Sequence, residues 1–273
     1  IGRFRPHILL GVGSYAAGPA AVAAWLRGVP IVLHEQNILP GLTNRLTARM
    51  ADRIYVSFEQ TRGRFSPAKT VVTGNPVRRE ILRCALPAPD RKRPFTVAII
   101  GGSQGAHPIN RAVADALPHL SRQRLAFVHQ TGAADLDEMR RAYQDHGNSA
   151  RVGAFFNDMA AVYRQADLDD CRAGATTVAE VTAVGKAVIF IPYPFAADNH
   201  QEFNARSLAD AGAAEMILEK TLTGARLAER ITRYAAAPDR LAAMAGRCRD
   251  LGRPQAAAAI VADCLGLVGW ADG

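Results

Sequence analysis

Two groups of polar residues flank one strongly apolar segment in the second half of the chain. Thr176 and Thr177 follow a turn of small residues, and the spacing of Thr177 and Glu180 predicts a capping box at the start of a helix. The N–H groups of a helix start favour anions. The run AVIFIPY at 187–193 predicts a buried parallel strand, and a polar loop ending in Gln201 follows it. Because ligands gather at the carboxyl ends of parallel strands, these residues predict a binding pocket.

A glycine-rich turn, GGSQG at 101–105, lies between a predicted strand and a predicted helix. Glycines let the backbone approach a diphosphate, and Ser103 adds a hydroxyl donor, although a tight strand-to-helix turn needs glycine in any case. Arg78 follows Gly-Asn-Pro-Val and is either a phosphate ligand or a surface arginine. Glu180 either closes the capping box or binds the hydroxyls of a ribose.

His34 and Glu35 end another predicted strand and have the side chains of an acid–base pair. Adjacent strand residues point to opposite faces, so we do not expect the two to act together unless the strand has already ended. The sequence contains no P-loop, no nucleophile elbow and no metal-ligand spacing. Its cysteines are widely separated, which indicates reduced, structural thiols.

The composition limits the classes of protein to which the chain can belong. The chain has 273 residues, of which 49% are hydrophobic, enough for two domains with cores of their own. A net charge of +8 suits nucleic acid, anionic lipid or a phosphorylated substrate, and an arginine-rich, alanine-rich composition is an equally good explanation of it. The basic residues lack interleaved aromatics, which argues against nucleic acid. No apolar run approaches the roughly 20 residues of a membrane-spanning helix.

Strand and helix patterns alternate along the whole chain. Strands are predicted at 7–12, 30–33, 54–58, 71–72, 95–100, 125–129, 152–156, 168–171, 188–192 and 214–217. This alternation predicts an α/β fold with two Rossmann-like, doubly wound parallel-sheet domains. The first domain, 1–85, is expected to be incomplete, because the chain enters a strand almost at once. We further predict a proline-rich linker at 86–94 and a second domain at 95–252. A helix at 253–273 is predicted to cross back to the first domain.

One predicted strand carries two carboxylates where apolar residues are expected. Asp169 and Asp170 lie in the segment ADLDDC at 166–171, one on each face of the strand. Burying an unpaired carboxylate is costly. We therefore expect this strand to be short or solvent-accessible there.

Five motifs occur in a fixed order: HEQN at 34–37, GNPVR at 74–78, GGSQGA at 101–106, CRAGATTVAE at 171–180 and DNHQ at 198–201. Together they resemble the MurG family of peptidoglycan glycosyltransferases, over essentially the whole chain. The resemblance implies a GT-B fold, with the acceptor on the first domain and a UDP-sugar donor mostly on the second. The implied reaction is an inverting hexosyl transfer, in which N-acetylglucosamine moves from UDP-N-acetylglucosamine to undecaprenyl-linked lipid I to give lipid II, without a cofactor or metal.

The resemblance also implies roles for particular residues. Ser103 and Arg78 would hold the diphosphate, Asn37 would reach the sugar, and Gln201 would contact the sugar hydroxyls. Phe156 would bound the uracil through its backbone. The start of the predicted helix would cover the phosphate and the ribose, and Glu180 would bind the ribose hydroxyls. This stretch consists of Ala175, Thr176, Thr177, Val178, Ala179 and Glu180.

The resemblance has departures as well. The family has an earlier strand and a further glycine-rich loop carrying a histidine, and we expect the catalytic base to lie in that absent loop. Asp169 and Asp170 replace apolar residues, Ala187 replaces a proline, and Asn157 replaces an acid. We therefore expect a chain that retains most of the donor pocket but is catalytically impaired. The alternatives are a UDP-N-acetylglucosamine-binding remnant or scaffold without catalysis, and another GT-B enzyme such as a UDP-sugar epimerase.

A membrane-facing patch is the last expectation. Trp25 and Leu26 lie close in sequence to Arg27, Arg45 and Arg49 and could together contact anionic lipid, unless Trp25 packs in the core. The resemblance implies a peripheral protein on the cytoplasmic face of the bacterial inner membrane. It also implies roles in cell wall biogenesis, cell shape, cell division and the cell cycle, with cell-wall and division proteins as possible partners and no nucleic-acid partner.

Overall fold

A computed structural model describes residues 3–84, 93–120 and 124–270. The chain divides into two compact units, the first made of residues 1–77 and 253–273 and the second of residues 78–252. The predicted linker at 86–94 lies outside the described residues, apart from Arg93 and Pro94.

All the strands among the described residues belong to two parallel sheets. They are β1 (Leu9–Gly11), β2 (Ile31–Glu35), β3 (Arg53–Val56), β4 (Thr70–Val72), β5 (Phe95–Ile100), β6 (Leu125–Gln130), β7 (Ser149–Gly153), β8 (Leu168–Cys171), β9 (Ala187–Phe190) and β10 (Glu215–Met216). The first unit has the order β1-β2-β3-β4, and the second has the order β10-β9-β8-β5-β6-β7. The second sheet therefore runs outward in both directions from β5.

The helices fall between the strands, as the alternating pattern predicts. They are α1 (Ala17–Trp25), α2 (Leu42–Thr47), α3 (Glu59–Arg62), α4 (Arg79–Leu82), α5 (His107–Ala116), α6 (Leu136–Asp145), α7 (Met159–Gln165), α8 (Ala175–Val184), α9 (His200–Asp210), α10 (Gly224–Ala236), α11 (Pro238–Asp250) and α12 (Ala256–Leu267). Among the described helices, none is long and apolar enough to cross a membrane.

The sheet of the first unit buries both of its faces. Alternate residues of β2 and β3, such as Leu33 and Ile54, pack with Ala24 of α1 on one face. Val32 and Tyr55 pack against Ile260 of α12 on the other face. The hydroxyl of Tyr55 also donates to Asp263 of α12 at 2.9 Å. The C-terminal helix thus completes the core of the unit that contains the first strands.

The second unit has the larger core. Strands β5 and β6 contribute Val97, Ile99 and Phe127, which pack against Ile109 and Val113 of α5. Helices α10 and α11 add further apolar residues to the same cluster. The continuous apolar runs of β5 and β9 follow from this burial on both faces, which is typical of parallel sheets.

The strand predicted at 152–156 is wrong in its position. β7 spans Ser149–Gly153 and pairs with residues 126–130 of β6. Beyond the last pair the N–H of Phe156 donates to the side chain of Gln130 rather than to the backbone of β6. The apolar residues after Gly153 therefore belong to a loop.

Candidate functional site

An open cavity of about 170 Å³ lies at the carboxyl ends of β5 and β8. The order of the sheet reverses between these strands, so the chain leaves them toward opposite sides and a crevice opens between the two loops. The cavity is lined by Arg78, Ile100, Gly102, Ser103, Gln130, Phe155, Phe156, Met159, Tyr163, Asp169, Cys171, Thr176, Thr177 and Glu180.

The glycine turn after β5 forms one wall. Gly105 and Gly132 have positive φ angles and lie back to back, and a Cβ atom on Gly105 would fall 2.1 Å from the Thr131 carbonyl oxygen. This close approach requires glycine and fixes the turn against the loop after β6. Ser103 is exposed in the turn and lines the cavity.

The start of α8 forms the opposite wall, and it corrects the predicted capping box. The N-cap is Gly174, the helix begins at Ala175, and the N-cap makes no side-chain hydrogen bond. Thr177 therefore lies inside the first turn rather than before it. The first N–H groups of a helix have no partner within the helix, so this turn can accept an anion. Thr176 and Thr177 line the cavity, whereas the side chain of Val178 is buried in the core.

Glu180 does not close a cap but is held by two side chains from other elements. Arg78 donates to Oε1 from Nη2 at 3.0 Å and from Nε at 3.3 Å. The hydroxyl of Tyr163, on α7, donates to Oε2 at 2.9 Å. Because a carboxylate offers about four acceptor positions, Glu180 can accept further hydrogen bonds from a ligand in the cavity that it lines.

Tyr163 is itself fixed from behind. It is 2% exposed, and Lys186 donates to its carbonyl oxygen at 2.6 Å. Burial raises the pKa of the Tyr163 hydroxyl well above its usual value, and the Glu180 carboxylate adds to the rise. Tyr163 therefore keeps its proton at neutral pH and remains a donor to Glu180.

Aromatic and apolar side chains form the third wall. Phe155, Phe156 and Met159 line the cavity beyond β7. The guanidinium of Arg151 lies 4.6 Å from the centre of the Phe156 ring. The N–H of Phe156 donates to Gln130 at 2.8 Å. The backbone group of Phe156 that can bind a ligand is therefore its carbonyl oxygen.

Asp169 and Asp170 contradict the expectation of solvent access. β8 lies between β5 and β9, and both side chains are at most 1% exposed. Neither carboxyl group has a hydrogen-bond partner among the described residues. Burial raises the pKa of Asp169 to about 7, against the charge of Lys186, and the pKa of Asp170 to about 8, against the charge of Arg172. β8 is an inner strand of a parallel sheet that is covered on both faces, so its side chains are buried whatever their polarity.

Gln201 and Asn37 lie away from the lining of this cavity. Gln201 opens α9, where its Oε1 accepts from the N–H of Tyr193 at 3.0 Å. Asn37 lies in the first unit, and its N–H donates to Glu35 at 3.0 Å. Glu35 also accepts from Asn44 at 2.8 Å, so it orders the loop after β2. His34 faces Gly74 instead, with 3.0 Å between its Nε2 and the carbonyl oxygen, so the two residues do not form an acid–base pair.

Gln130, Tyr163, Phe155 and Met159 were not predicted from the sequence. Gln130 had a detectable signal, because it is a polar residue at the end of the apolar strand LAFVHQ. Tyr163 had none, because its position is that of an ordinary core residue on a short helix. No group of side chains suited to a metal ion occurs in the described ranges.

The chain matches known protein families over most of its length. Residues 96–260 match the glycosyltransferase family 28 C-terminal domain, and residues 1–56 match the glycosyltransferase family 28 N-terminal domain. The UDP-N-acetylglucosamine--N-acetylmuramyl-(pentapeptide) pyrophosphoryl-undecaprenol N-acetylglucosamine transferase of Syntrophus aciditrophicus is 46% identical over 97% of this chain and 74% of the relative. The protein of the same name from Geobacter sulfurreducens is 48% identical over 94% of this chain and 72% of the relative.

Solved structures agree with these matches. The crystal structure of Acinetobacter baumannii MurG has a TM-score of 0.84 at 34% identity and covers 97% of this chain and 76% of that chain. UDP-GlcNAc 2-epimerase from Neisseria meningitidis, bound to UDP-GlcNAc, has a TM-score of 0.69 at 14% identity, covering 97% of this chain and 77% of that chain. At that identity the epimerase shares the fold alone.

The two parallel-sheet units together with the glycosyltransferase family 28 matches identify a glycosyltransferase of the GT-B type, as the family resemblance implied. Its relatives narrow this class further. The chain belongs to the MurG family.

Proposed function

We propose that this chain transfers N-acetylglucosamine from UDP-N-acetylglucosamine to lipid I, giving lipid II in peptidoglycan synthesis. The names of its relatives state this transfer between an undecaprenol-linked acceptor and a UDP sugar. The observation that carries the proposal is the cavity of the second unit, where a helix start, a glycine turn and a fixed carboxylate face one space.

The diphosphate would lie between the glycine turn and the start of α8. Ser103 and the N–H groups of Ala175, Thr176 and Thr177 supply donors there, and the dipole of the ten-residue helix favours negative charge. Arg78 supports the same assignment. Its side chain is 54% exposed, and it uses only Nε and Nη2 on Glu180, so its remaining N–H groups can reach a phosphate oxygen.

The nucleoside would fill the rest of the cavity. Glu180 would accept from the ribose hydroxyls, with Arg78 and Tyr163 holding its carboxylate in place. Phe155 and Met159 offer apolar surface to the uracil, and the carbonyl of Phe156 is a hydrogen-bond acceptor for its edge. Gln201 would meet a sugar hydroxyl through its amide group, because its oxygen already accepts from Tyr193.

The chemistry we propose is an inverting displacement at the anomeric carbon of the sugar. The departing UDP carries negative charge, and Arg78 with the start of α8 would stabilise it. The acceptor hydroxyl must lose a proton to a base, which is a group separate from the donor site described here. By the family resemblance alone, Asn37 would also contact the sugar; its N–H donates to Glu35 within the first unit.

We also propose contact with a membrane surface through the first unit. Val22 and Trp25 of α1, Leu26 directly after it, and Leu42 and Leu46 of α2 are all at least 43% exposed. The two helices pack against each other, and Arg27, Arg45 and Arg49 are exposed on or beside them. Exposed apolar groups ringed by arginines suit anionic lipid. On this basis we propose a peripheral protein at a membrane surface. The cytoplasmic face of the inner membrane and division proteins as partners are proposed from the family resemblance alone.

Transfer of labelled N-acetylglucosamine to a soluble lipid I analogue tests the proposal. In line with the catalytic impairment predicted from the sequence, we expect slow formation of a labelled product that depends on Glu180, with Glu138→Ala on the exposed surface of α6 as the matched control. Donor binding without transfer would instead support the alternative of a binding protein without catalysis. Absence of both would refute the proposal.

A further inference from the structure

Gln130 joins two loops of the cavity through its side chain. It is the last residue of β6 and pairs with Ile100 of β5 on one side and with Gly153 of β7 on the other. Its Nε2 donates to the Gly102 carbonyl in the glycine turn at 2.8 Å. Its Oε1 accepts from the N–H of Phe156 in the loop after β7, also at 2.8 Å. The side chain of the middle strand thus bridges the loops that follow both of its neighbours.

Only a carboxamide can make both of these bonds. The glycine turn presents a carbonyl oxygen, which needs a donor, and Phe156 presents an N–H group, which needs an acceptor. Rotating the amide by half a turn would set donor against donor and acceptor against acceptor. Because Gln130 is 2% exposed, water cannot readily replace either bond.

Besides the Gln130 bond, the loop after β7 accepts at the Ala154 carbonyl oxygen from the N–H of Gly132, in the loop after β6, at 3.1 Å. This bond leaves Phe156 itself free of the glycine turn. Arg151 of β7 stacks on the Phe156 ring, and that ring lies so close to Gly153 that a Cβ atom there would fall 2.7 Å from it. These contacts fix the ring to β7 but not to the glycine turn. The side chain of Gln130 spans the remaining distance.

We propose that Gln130 is a positioning residue that sets the spacing between the glycine turn and the Phe156 loop, so that the two ends of a nucleoside diphosphate bind cooperatively. The inference rests on the proposed function, in which the turn holds the diphosphate and the loop bounds the base. Gln130 acts through Gly102 and Phe156 and need not bind the ligand itself.

Competition binding with three ligands separates this role from a general loss of structure. UDP, uridine and inorganic pyrophosphate are each titrated as competitors of a fluorescent UDP analogue, with the wild-type protein and with Gln130→Leu. Uridine and pyrophosphate each need one loop, whereas UDP needs both at the correct spacing. We expect Gln130→Leu to weaken UDP about tenfold, consistent with two lost hydrogen bonds, and to weaken each fragment less than about twofold.

Two further variants sharpen the result. Gln130→Glu keeps the acceptor for Phe156 and loses the donor to Gly102, so we expect it to lose part of the UDP affinity. Thr96→Val is the matched control, because Thr96 is a buried polar residue at the opposite end of β5 whose hydroxyl bonds to Pro94. We expect this control to bind all three ligands like the wild-type protein.

Two results would overturn the inference while leaving the proposed function intact. One is unchanged UDP affinity in Gln130→Leu, and the other is an equal weakening of all three ligands. Failure of the wild-type protein to bind UDP is a different outcome, because it would overturn the proposed function together with the inference.

Discussion

Replacing Asp170 with valine should stabilise the protein at neutral and alkaline pH. The side chain is fully buried in β8 with no hydrogen-bond partner among the described residues, and burial raises its pKa from 3.8 to about 8. Arg172 opposes the rise, and the neighbouring Asp169 adds to it. Tyr143, whose own pKa the Asp170 charge raises, is a neutral hydroxyl at these pH values. Valine fits a buried strand and avoids the free-energy cost of burying an unpaired carboxyl group.

The sign and size of the effect follow from linkage. The folded pKa lies above the unfolded one, so the folded protein holds a proton that the unfolded chain releases. Stability is full below about pH 3.8 and falls as the pH rises toward 8. A shift of roughly four units at about 1.4 kcal/mol each corresponds to a loss on the order of 5 kcal/mol by pH 8. That is comparable with the whole stability of many domains.

Denaturant unfolding at a series of pH values measures this loss. Both tryptophans lie in the first unit, so far-UV circular dichroism is the suitable probe for the second. We expect the stability difference between Asp170→Val and the wild-type protein to grow by several kcal/mol between pH 5 and pH 8. Asp170→Asn is the matched control, because it removes the charge but keeps an unpaired polar group. Its stability should show the same pH dependence as the valine variant at a lower absolute value.

The same difference at pH 5 and pH 8 would refute this reasoning. It would mean that Asp170 does not change its protonation on unfolding in this range, and therefore that the carboxyl is paired or hydrated in the folded protein.

Three further predictions follow from the site and the surface. Tyr163→Phe removes the hydroxyl that donates to Glu180, so UDP affinity measured by calorimetry should fall about tenfold, and unchanged affinity would show that Glu180 needs no such support. Gly105→Ala should lower the melting temperature far more than Gly102→Ala, because the new Cβ would meet Thr131 at 2.1 Å whereas Gly102 has no atom within 4 Å; equal melting temperatures would contradict the close approach. Trp25→Ala combined with Arg45→Ala should reduce flotation with anionic liposomes, and flotation equal to wild type would exclude the proposed patch.

The fold could be predicted largely from the alternation of apolar runs and turns, because parallel strands buried on both faces leave a strong pattern. The glycine turn and the polar residues after β8 also had visible signals. The helix start was mispredicted, since Thr177 and Glu180 have the spacing of a capping box while Glu180 is used by Arg78 and Tyr163 from distant parts of the chain. Local spacing cannot reveal such tertiary partners.

The two aspartates show a different limit. The cost of burying two carboxylates was visible in the sequence. The expected solvent access was wrong because β8 is an inner strand of a sheet that is covered on both faces. The position of β7 also depends on a tertiary feature, its pairing with residues 126–130 of β6. Residues that act through such contacts are found from the structure.

Calorimetric titration of UDP-N-acetylglucosamine into the wild-type protein and into Glu180→Ala tests the central claim most directly. We predict saturable binding at one site, weakened at least tenfold in Glu180→Ala because charged hydrogen bonds to the ribose are lost. A UDP sugar that lacks the ribose hydroxyls should bind the two proteins equally, and Glu138→Ala should bind UDP-N-acetylglucosamine like the wild-type protein. Equal affinity of UDP-N-acetylglucosamine for the wild-type protein and Glu180→Ala would contradict the placement of the donor in this cavity.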